Sequence, residues 1–264
     1  MPDPLTNLRP DQAIKVLPRH LAGPGTADLR TIWPFPFDED WTMHQTDEGG
    51  PAVAASPCLS LRMGNVSTPT PGRQWITAGY REPFGPAAWQ ISFDTTTPVE
   101  LLHDVHAELL DRYLEDRHRY PTYLFRGQTP PAQAYVPLLA RGWSHTVKTD
   151  GTQTFLAPDG FGGVQHMYAA EDGSSSSPAW KAWGGDPKLP SWRVRFSADT
   201  PTVLVAAFTA SLISTEPVHR TVQDIPSHTR SNLYIASTTT VSEQALAPAG
   251  VATPPASPAT GRSR

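Results

Sequence analysis

The densest set of ionisable side chains in the sequence is His103-Asp104-Val105-His106, followed by Glu108 and Asp111. Imidazole and carboxylate are common zinc ligands, but a zincin site needs two histidines at i and i+4 on a helix with a glutamate as general base. His103 and His106 lack that spacing and that base, so the expected arrangement is a solvated helix face without a metal. Cys58 is the only cysteine and cannot form an intramolecular disulfide. No nucleophile signature surrounds it, so it reads as a small packed residue. Gly160-Phe161-Gly162-Gly163 is not followed by the Lys-Ser or Lys-Thr of a phosphate loop and reads as a hairpin turn. No G-x-S-x-G elbow, dinucleotide fingerprint or zinc quartet occurs. The sequence therefore assigns no catalytic residue, no cofactor and no metal ligand, and the expectation leans away from an enzyme.

One stretch has the chemistry of a contact surface. Between positions 112 and 126, four arginines interleave with Tyr113, His118, Tyr120, Tyr123 and Phe125. Guanidinium forks grip phosphates and aromatic planes stack on bases, so Arg112, Arg117, Arg119, Tyr120, Tyr123 and Arg126 are a candidate nucleic-acid contact. Asp111, Glu115 and Asp116 offset much of that charge, and a helix end running into a linker has the same composition. The formal net charge of −4 adds no global attraction to polyanions.

The elements that would carry such residues appear twice. Trp89-Gln90-Ile91-Ser92-Phe93 runs on through Thr97-Pro98 to Leu101-Leu102, and Trp192-Arg193-Val194-Arg195-Phe196 through Thr200-Pro201 to Leu204-Val205, at a constant offset of 103 residues. Both fit W-x-[IV]-x-F-x-x-x-T-P-x-x-L-[LV], and the register continues to Leu109 and Leu212. Alternation puts Trp89, Ile91 and Phe93, or Trp192, Val194 and Phe196, on one face of a half-buried strand. Thr97 and Thr200 read as helix N-caps, with Pro98 and Pro201 at the first helical position. Apolar stripes on the two helices then pack on the strands' aromatic faces. Upstream, Trp41 matches Trp143, and Ala55-Ser56-Pro57 matches Ala157-Pro158-Asp159, both at an offset of 102. Further short strands are expected around 41–46, 58–63 and 74–80, then 143–147, 152–156, 163–168 and 179–183, separated by Gly- and Pro-rich turns.

This tandem segment resembles the actinobacterial family catalogued as domain of unknown function three-one-seven, as does the lead-in Val16-Leu17-Pro18-Arg19-His20-Leu21-Ala22-Gly23. The resemblance spans roughly residues 12–215 and implies a shared fold without supplying an activity, cofactor or catalytic residue. In the second copy Ala134-Tyr135-Val136-Pro137-Leu138-Leu139 stands where a lead-in is sought.

The expected fold is therefore α+β, with two similar subdomains related by a pseudo-two-fold axis, each an antiparallel sheet of about four strands packed on one C-terminal helix. An N-terminal arm covers 1–11, the first copy 12–118, a linker 119–131, the second copy 132–218 and a C-terminal extension 219–264. That extension becomes disordered from about 237, where bulky apolar side chains all but disappear. The start lacks a signal-peptide pattern, and no apolar run approaches the ~20 residues that span a bilayer, so a cytoplasmic location without membrane contact is expected. Shared cores with diverged surfaces point to a non-catalytic interaction module with a protein partner. Nucleic-acid association through 112–126 and an enzyme with its site between the copies are the alternatives. Removing residues 238–264 should leave the melting temperature unchanged in scanning calorimetry, and a fall of several degrees would show that the tail docks on the core.

Overall fold

The computed structural model describes residues 3–26, 28–46, 50–67, 73–117, 124–125, 129–168 and 178–236. The chain opens with β1 (Ala13–Leu17) and a short helix α1 (Leu29–Ile32). The first copy is a meander of β2 (Thr42–Gln45), β3 (Ala52–Ala55), β4 (Leu61–Ser67), β5 (Arg73–Tyr80) and β6 (Ala87–Asp94), closed by α2 (Val99–Arg117). After α3 (Ala132–Ala140) the second copy repeats the pattern. It runs through β7 (Ser144–Val147), β8 (Gln153–Leu156), β9 (Gly162–His166), β10 (Pro178–Asp186) and β11 (Leu189–Ser197) into α4 (Thr202–Leu212). The chain ends in β12 (Val218–Thr221) and β13 (Tyr234–Ala236).

Each copy thus supplies an antiparallel meander and a closing helix, but with five strands, and a second helix beside the first. The added strand of the first copy, β3, is Ala-Val-Ala-Ala, which lacks the bulky alternation that marks a strand in sequence. The two meanders are also not separate sheets. All ten strands form one antiparallel sheet ordered β2-β3-β4-β5-β6-β11-β10-β9-β8-β7, a palindrome about the β6–β11 pair. At that seam Ser92 faces Arg195, while Phe93 faces Val194 and Ile91 faces Phe196. Ser92 and Arg195 are equivalent positions of the two copies, so the local two-fold axis passes between them. Beyond the paired residues, side chains continue the ladder symmetrically. Asp94 Oδ2 accepts from the Arg193 amide at 2.9 Å, and Ser197 Oγ accepts from the Gln90 amide at 2.8 Å.

The helices lie on one face and bury the aromatic positions of both copies in a single core. Trp89, Phe93, Trp192 and Phe196 are all fully buried. Each tryptophan stands against a glycine on the neighbouring strand, where a Cβ would come within 2.3 Å of the Trp89 ring at Gly79 and 2.4 Å of the Trp192 ring at Gly184. The indole N–H of Trp89 donates to the Leu124 carbonyl at 2.7 Å, and that of Trp192 to the His20 carbonyl at 3.0 Å. Leu124 therefore plays in the first copy the part that His20 plays in the second. Residues 134–139, by contrast, form most of α3.

The helix starts differ from expectation. Pro201 is itself the N-cap of α4, with φ −54° and ψ 124°, and no side chain caps that helix. Thr200, one residue further out, cannot reach the first helical amides and donates instead to the Gln90 carbonyl across the seam at 3.3 Å. The Thr97 hydroxyl is buried and bonds no other described residue. The first-turn amides of Leu101 and Leu204 bond the carbonyls of Pro98 and Pro201 in the same way, so both copies start their helix alike.

A second, three-stranded sheet, ordered β12-β1-β13, joins the residues before the first copy to those after the second. It has its own apolar core of Leu5, Val16, Leu21, Val218, Ile225 and Leu233 among others. Its strands are short and two of them follow the duplicated region, so copy comparison gives them no signal. Ion pairs tie it to α2: Arg220 grips Glu100 at 2.6 Å, and buried Arg19 reaches Asp104 at 3.1 Å beside the Ser211 hydroxyl.

Trp89→Ala and Trp192→Ala should each lower stability by about 3–5 kcal/mol in chemical denaturation, since each empties a core site of equal standing in its copy. Near-wild-type midpoints for both variants would contradict the equivalence.

Candidate functional site

Side chains alternate across a sheet, so every helix-facing residue has neighbours that point the other way. On the second-copy half of the open face, one cross-strand row is Gln165, Lys181 and Arg195. The adjacent row is Gly163, Trp183 and Arg193. Pro187 and Pro190, in and beside the β10–β11 turn, close one end, and the whole forms a cleft of about 420 Å³. A Cβ at Gly163 would come within 2.0 Å of the Trp183 ring, so the absence of a side chain there lets the indole lie across β9. Trp183 Nε1 is buried and bonds no other described residue. Among the described residues, neither Lys181 nor Arg193 nor Arg195 is paired with a carboxylate. The acid nearest in the ladder, Asp94, is engaged by the Arg193 amide and by Gln74 at 3.2 Å. Such a surface offers positive charge and an indole plane, which together suit an anionic ligand with an aromatic or planar part.

The same rows in the first copy read Gly64, Ile76, Ser92 and Arg62, Ala78, Gln90. All six open-face positions therefore differ between copies, whereas helix-facing Trp75 and Trp180, Phe93 and Phe196, and Leu101 and Leu204 are kept. A second concavity, of about 410 Å³, lies where the lead-in meets the second copy and α4, lined by His20, Asp159, Arg141, Trp143 and Tyr234 among others. Its His20 Nε2 bonds Asp159 at 2.8 Å. Burial alone would raise the Asp159 pKa, but the bond and charge of His20 and the Phe161 amide hold it below the usual carboxylate value. Ser214 and Thr215 line this concavity, yet no hydroxyl of a described residue bonds His20 to complete a nucleophilic array.

The residues singled out in the sequence are scattered. His106 is fully buried rather than solvated. Its Nδ1–H donates to the Ile32 carbonyl at 2.8 Å and its Nε2 accepts from the Thr77 hydroxyl at 2.7 Å, while His103 Nδ1 donates to the Thr31 carbonyl at 2.6 Å. Both imidazoles thus secure the end of α1 against α2. Glu108 holds Arg112 at 2.7 Å, and Glu115 holds it at 2.9 Å, so that arginine is committed within its own helix. The side chain of Arg117, and Arg119, Tyr120, Tyr123 and Arg126, lie outside the described residues. Gly160-Phe161-Gly162-Gly163 belongs to the β8–β9 hairpin, as expected, with Gly160 at φ +76°.

Cys58 is exposed rather than packed. Burial would raise its thiol pKa, but hydrogen bonds from Ser60 at 2.9 Å and Tyr113 at 3.5 Å bring it down to about 7. The hairpin bonds Ser56 N to Leu61 O and Ala157 N to Gly162 O fix this turn at an offset of 101, not 102. Pro57 therefore corresponds to Pro158, Cys58 to Asp159, and Leu59, with φ +59°, to Gly160. The cleft residues Gln165, Lys181 and Trp183 carry no motif. The signal that finds them is the difference between aligned copies, which an offset shift to 105 at β5 and β10 hides.

The architecture defines a tandem-duplicated α+β protein built on one antiparallel sheet, with helices on one face and a diverged, open second face. Two tandem regions of the chain, residues 55–115 and 157–218, match the model of the SPDY family, a domain of unknown function (DUF317). No curated protein and no solved structure matches it. Among the described residues no helix is long and apolar enough to cross a membrane.

His106 also yields a pH test. Burial depresses its pKa from 6.5 to about 4, so between those values the unfolded chain binds a proton that the folded chain refuses. Stability from this group is complete above pH 6.5 and falls as the pH drops towards 4. Between pH 7 and pH 5 the loss is on the order of 2 kcal/mol. Urea unfolding at the two pH values should show a steeper fall for the wild type than for His106→Gln, and parallel curves would refute the buried neutral imidazole.

Proposed function

We propose that the protein is a non-catalytic interaction protein that engages an anionic partner through the open face of its sheet. The observation that carries this reading is the contrast between the two faces of one sheet. The helix face keeps its anchors, with Trp75, Trp89 and Phe93 recurring as Trp180, Trp192 and Phe196, although Met63 and Thr77 are replaced by Val164 and Ala182, while the open face differs at all six positions compared and has gathered in one cleft three cations that no carboxylate of a described residue pairs. A scaffold constrains its core and leaves its binding face free to specialise. The local field of Lys181, Arg193 and Arg195 acts over a Debye length of about 10 Å, so it attracts an anion despite the chain's net negative charge. No array of nucleophile, base and oxyanion donors accompanies the cations among the described residues, which favours binding over chemistry.

Heparin, as a generic polyanion, provides the test. At low ionic strength a hundredfold excess over Kd should raise the melting temperature by roughly 5–10 °C. The shift should disappear at 0.5 M salt, about three to four times the physiological ionic strength, and in the double variant Arg193→Glu/Arg195→Glu. No shift with the wild type, or an undiminished shift in the double variant, would remove the open face as the binding surface.

A further inference from the structure

We infer that the cleft between β9, β10 and β11 is a binding site for single-stranded nucleic acid, with Trp183 as the stacking platform for one base and Lys181, Arg193 and Arg195 as the phosphate contacts. This rests on the open-face reading above and names its ligand. Positive charge alone fits any polyanion, whereas three further features of this cleft select one with bases.

The first is the attitude of the indole. Lying across β9 in the space that a side chain at Gly163 would occupy, the half-buried ring rests on the open side of the sheet, outside the helix-side core, where its far face can take a base. The second is its surroundings: Lys181 on β10 lies directly opposite Arg195 on β11, and Trp183 directly opposite Arg193. Opposite residues have Cβ atoms about 5 Å apart and successive rows on one face lie about 7 Å apart, which matches the spacing of neighbouring phosphates on a single strand. A base on Trp183 therefore leaves its flanking phosphates within reach of long cationic side chains on both rows. The third is polar: Gln165 beside Lys181 lines the cleft with an amide whose Nε2 donates to Thr154 Oγ1 at 3.4 Å, which orients the group and leaves its carbonyl oxygen and second N–H for a base edge. Duplex DNA buries its bases in the stack and offers this platform none.

The measurement is fluorescence anisotropy of a labelled oligothymidylate of about twelve nucleotides, compared with an abasic strand of the same length, a duplex, and heparin as competitor, near 50 mM salt. The oligothymidylate should bind with a log K against log salt slope of about −2, from three phosphate contacts on a single strand. Lys181→Gln, Arg193→Gln and Arg195→Gln should each make that slope shallower by about 0.7. Trp183→Ala should weaken binding at least about tenfold with the slope unchanged, and Trp183→Phe, which keeps a plane, by only about threefold. The abasic strand and the duplex should each bind wild-type protein at least about tenfold more weakly than the oligothymidylate, a comparison that needs no variant to fold. If the abasic strand binds as tightly as the oligothymidylate, or heparin binds while the oligonucleotide does not, stacking is overturned and the cleft is a general polyanion surface as proposed above. If neither heparin nor the oligonucleotide binds, both readings fall together.

Discussion

The pairing of β6 with β11 is the interaction on which the rest of the structure depends. An isolated meander ending in β6 would present a row of unpaired amides and carbonyls flanked by Trp89 and Phe93, which is an edge prone to aggregation. Joining the two meanders there removes both edges at once and brings Phe93 within 6.5 Å of Phe196, ring to ring. The same union sets α2 beside α4 over the seam, so the two apolar stripes and the two aromatic faces form one core instead of two half-sized ones. Since buried area per residue grows with domain size, this is the more stable use of the same residues.

The copies are further bound by exchange. The indole of Trp192, in the second copy, is satisfied by His20 from the segment that precedes the first, and the indole of Trp89, in the first copy, by Leu124 from the segment that precedes the second. A buried N–H without an acceptor loses the full cost of its desolvation, so neither copy is complete without residues contributed from the other's approach. The Arg19 and Arg220 contacts with α2 extend the principle to the small second sheet. Truncation at a copy boundary would strand these polar atoms in a core.

How far the sequence revealed this depends on the length scale of each signal. The strand-turn-helix from Trp89 and from Trp192 was legible because its 2-residue alternation and its helical stripe hold register over more than twenty positions. The fusion of the sheets was not, because edge pairing depends on backbone groups that every residue carries. Residue-level roles failed where two environments suit one side chain. His106 sits among polar neighbours in sequence, yet its position on α2 turns it towards Phe35 and Phe93, with ring centroids 5.8 and 6.1 Å away. Thr200 precedes a helix, yet the ψ of Pro201 moves the cap one residue on. The cleft was half visible, since Arg193 and Arg195 stand on the polar side of the β11 alternation, but Trp183 joins them only through the register of β10.

The position of the two-fold axis between Ser92 and Arg195 has one more meaning. Were this sheet assembled from two identical chains, whatever stood at that point would confront its own replica, and an arginine there would face an arginine across neighbouring strands, an arrangement that like charges oppose. Covalent fusion lifts that restriction, because a change on one side is no longer forced on the other. Serine on one strand gives the arginine on the next an uncharged neighbour, and a cationic surface can be built right up to the centre of the molecule. Duplication within one polypeptide is thus what frees the midline of this protein from mirroring itself.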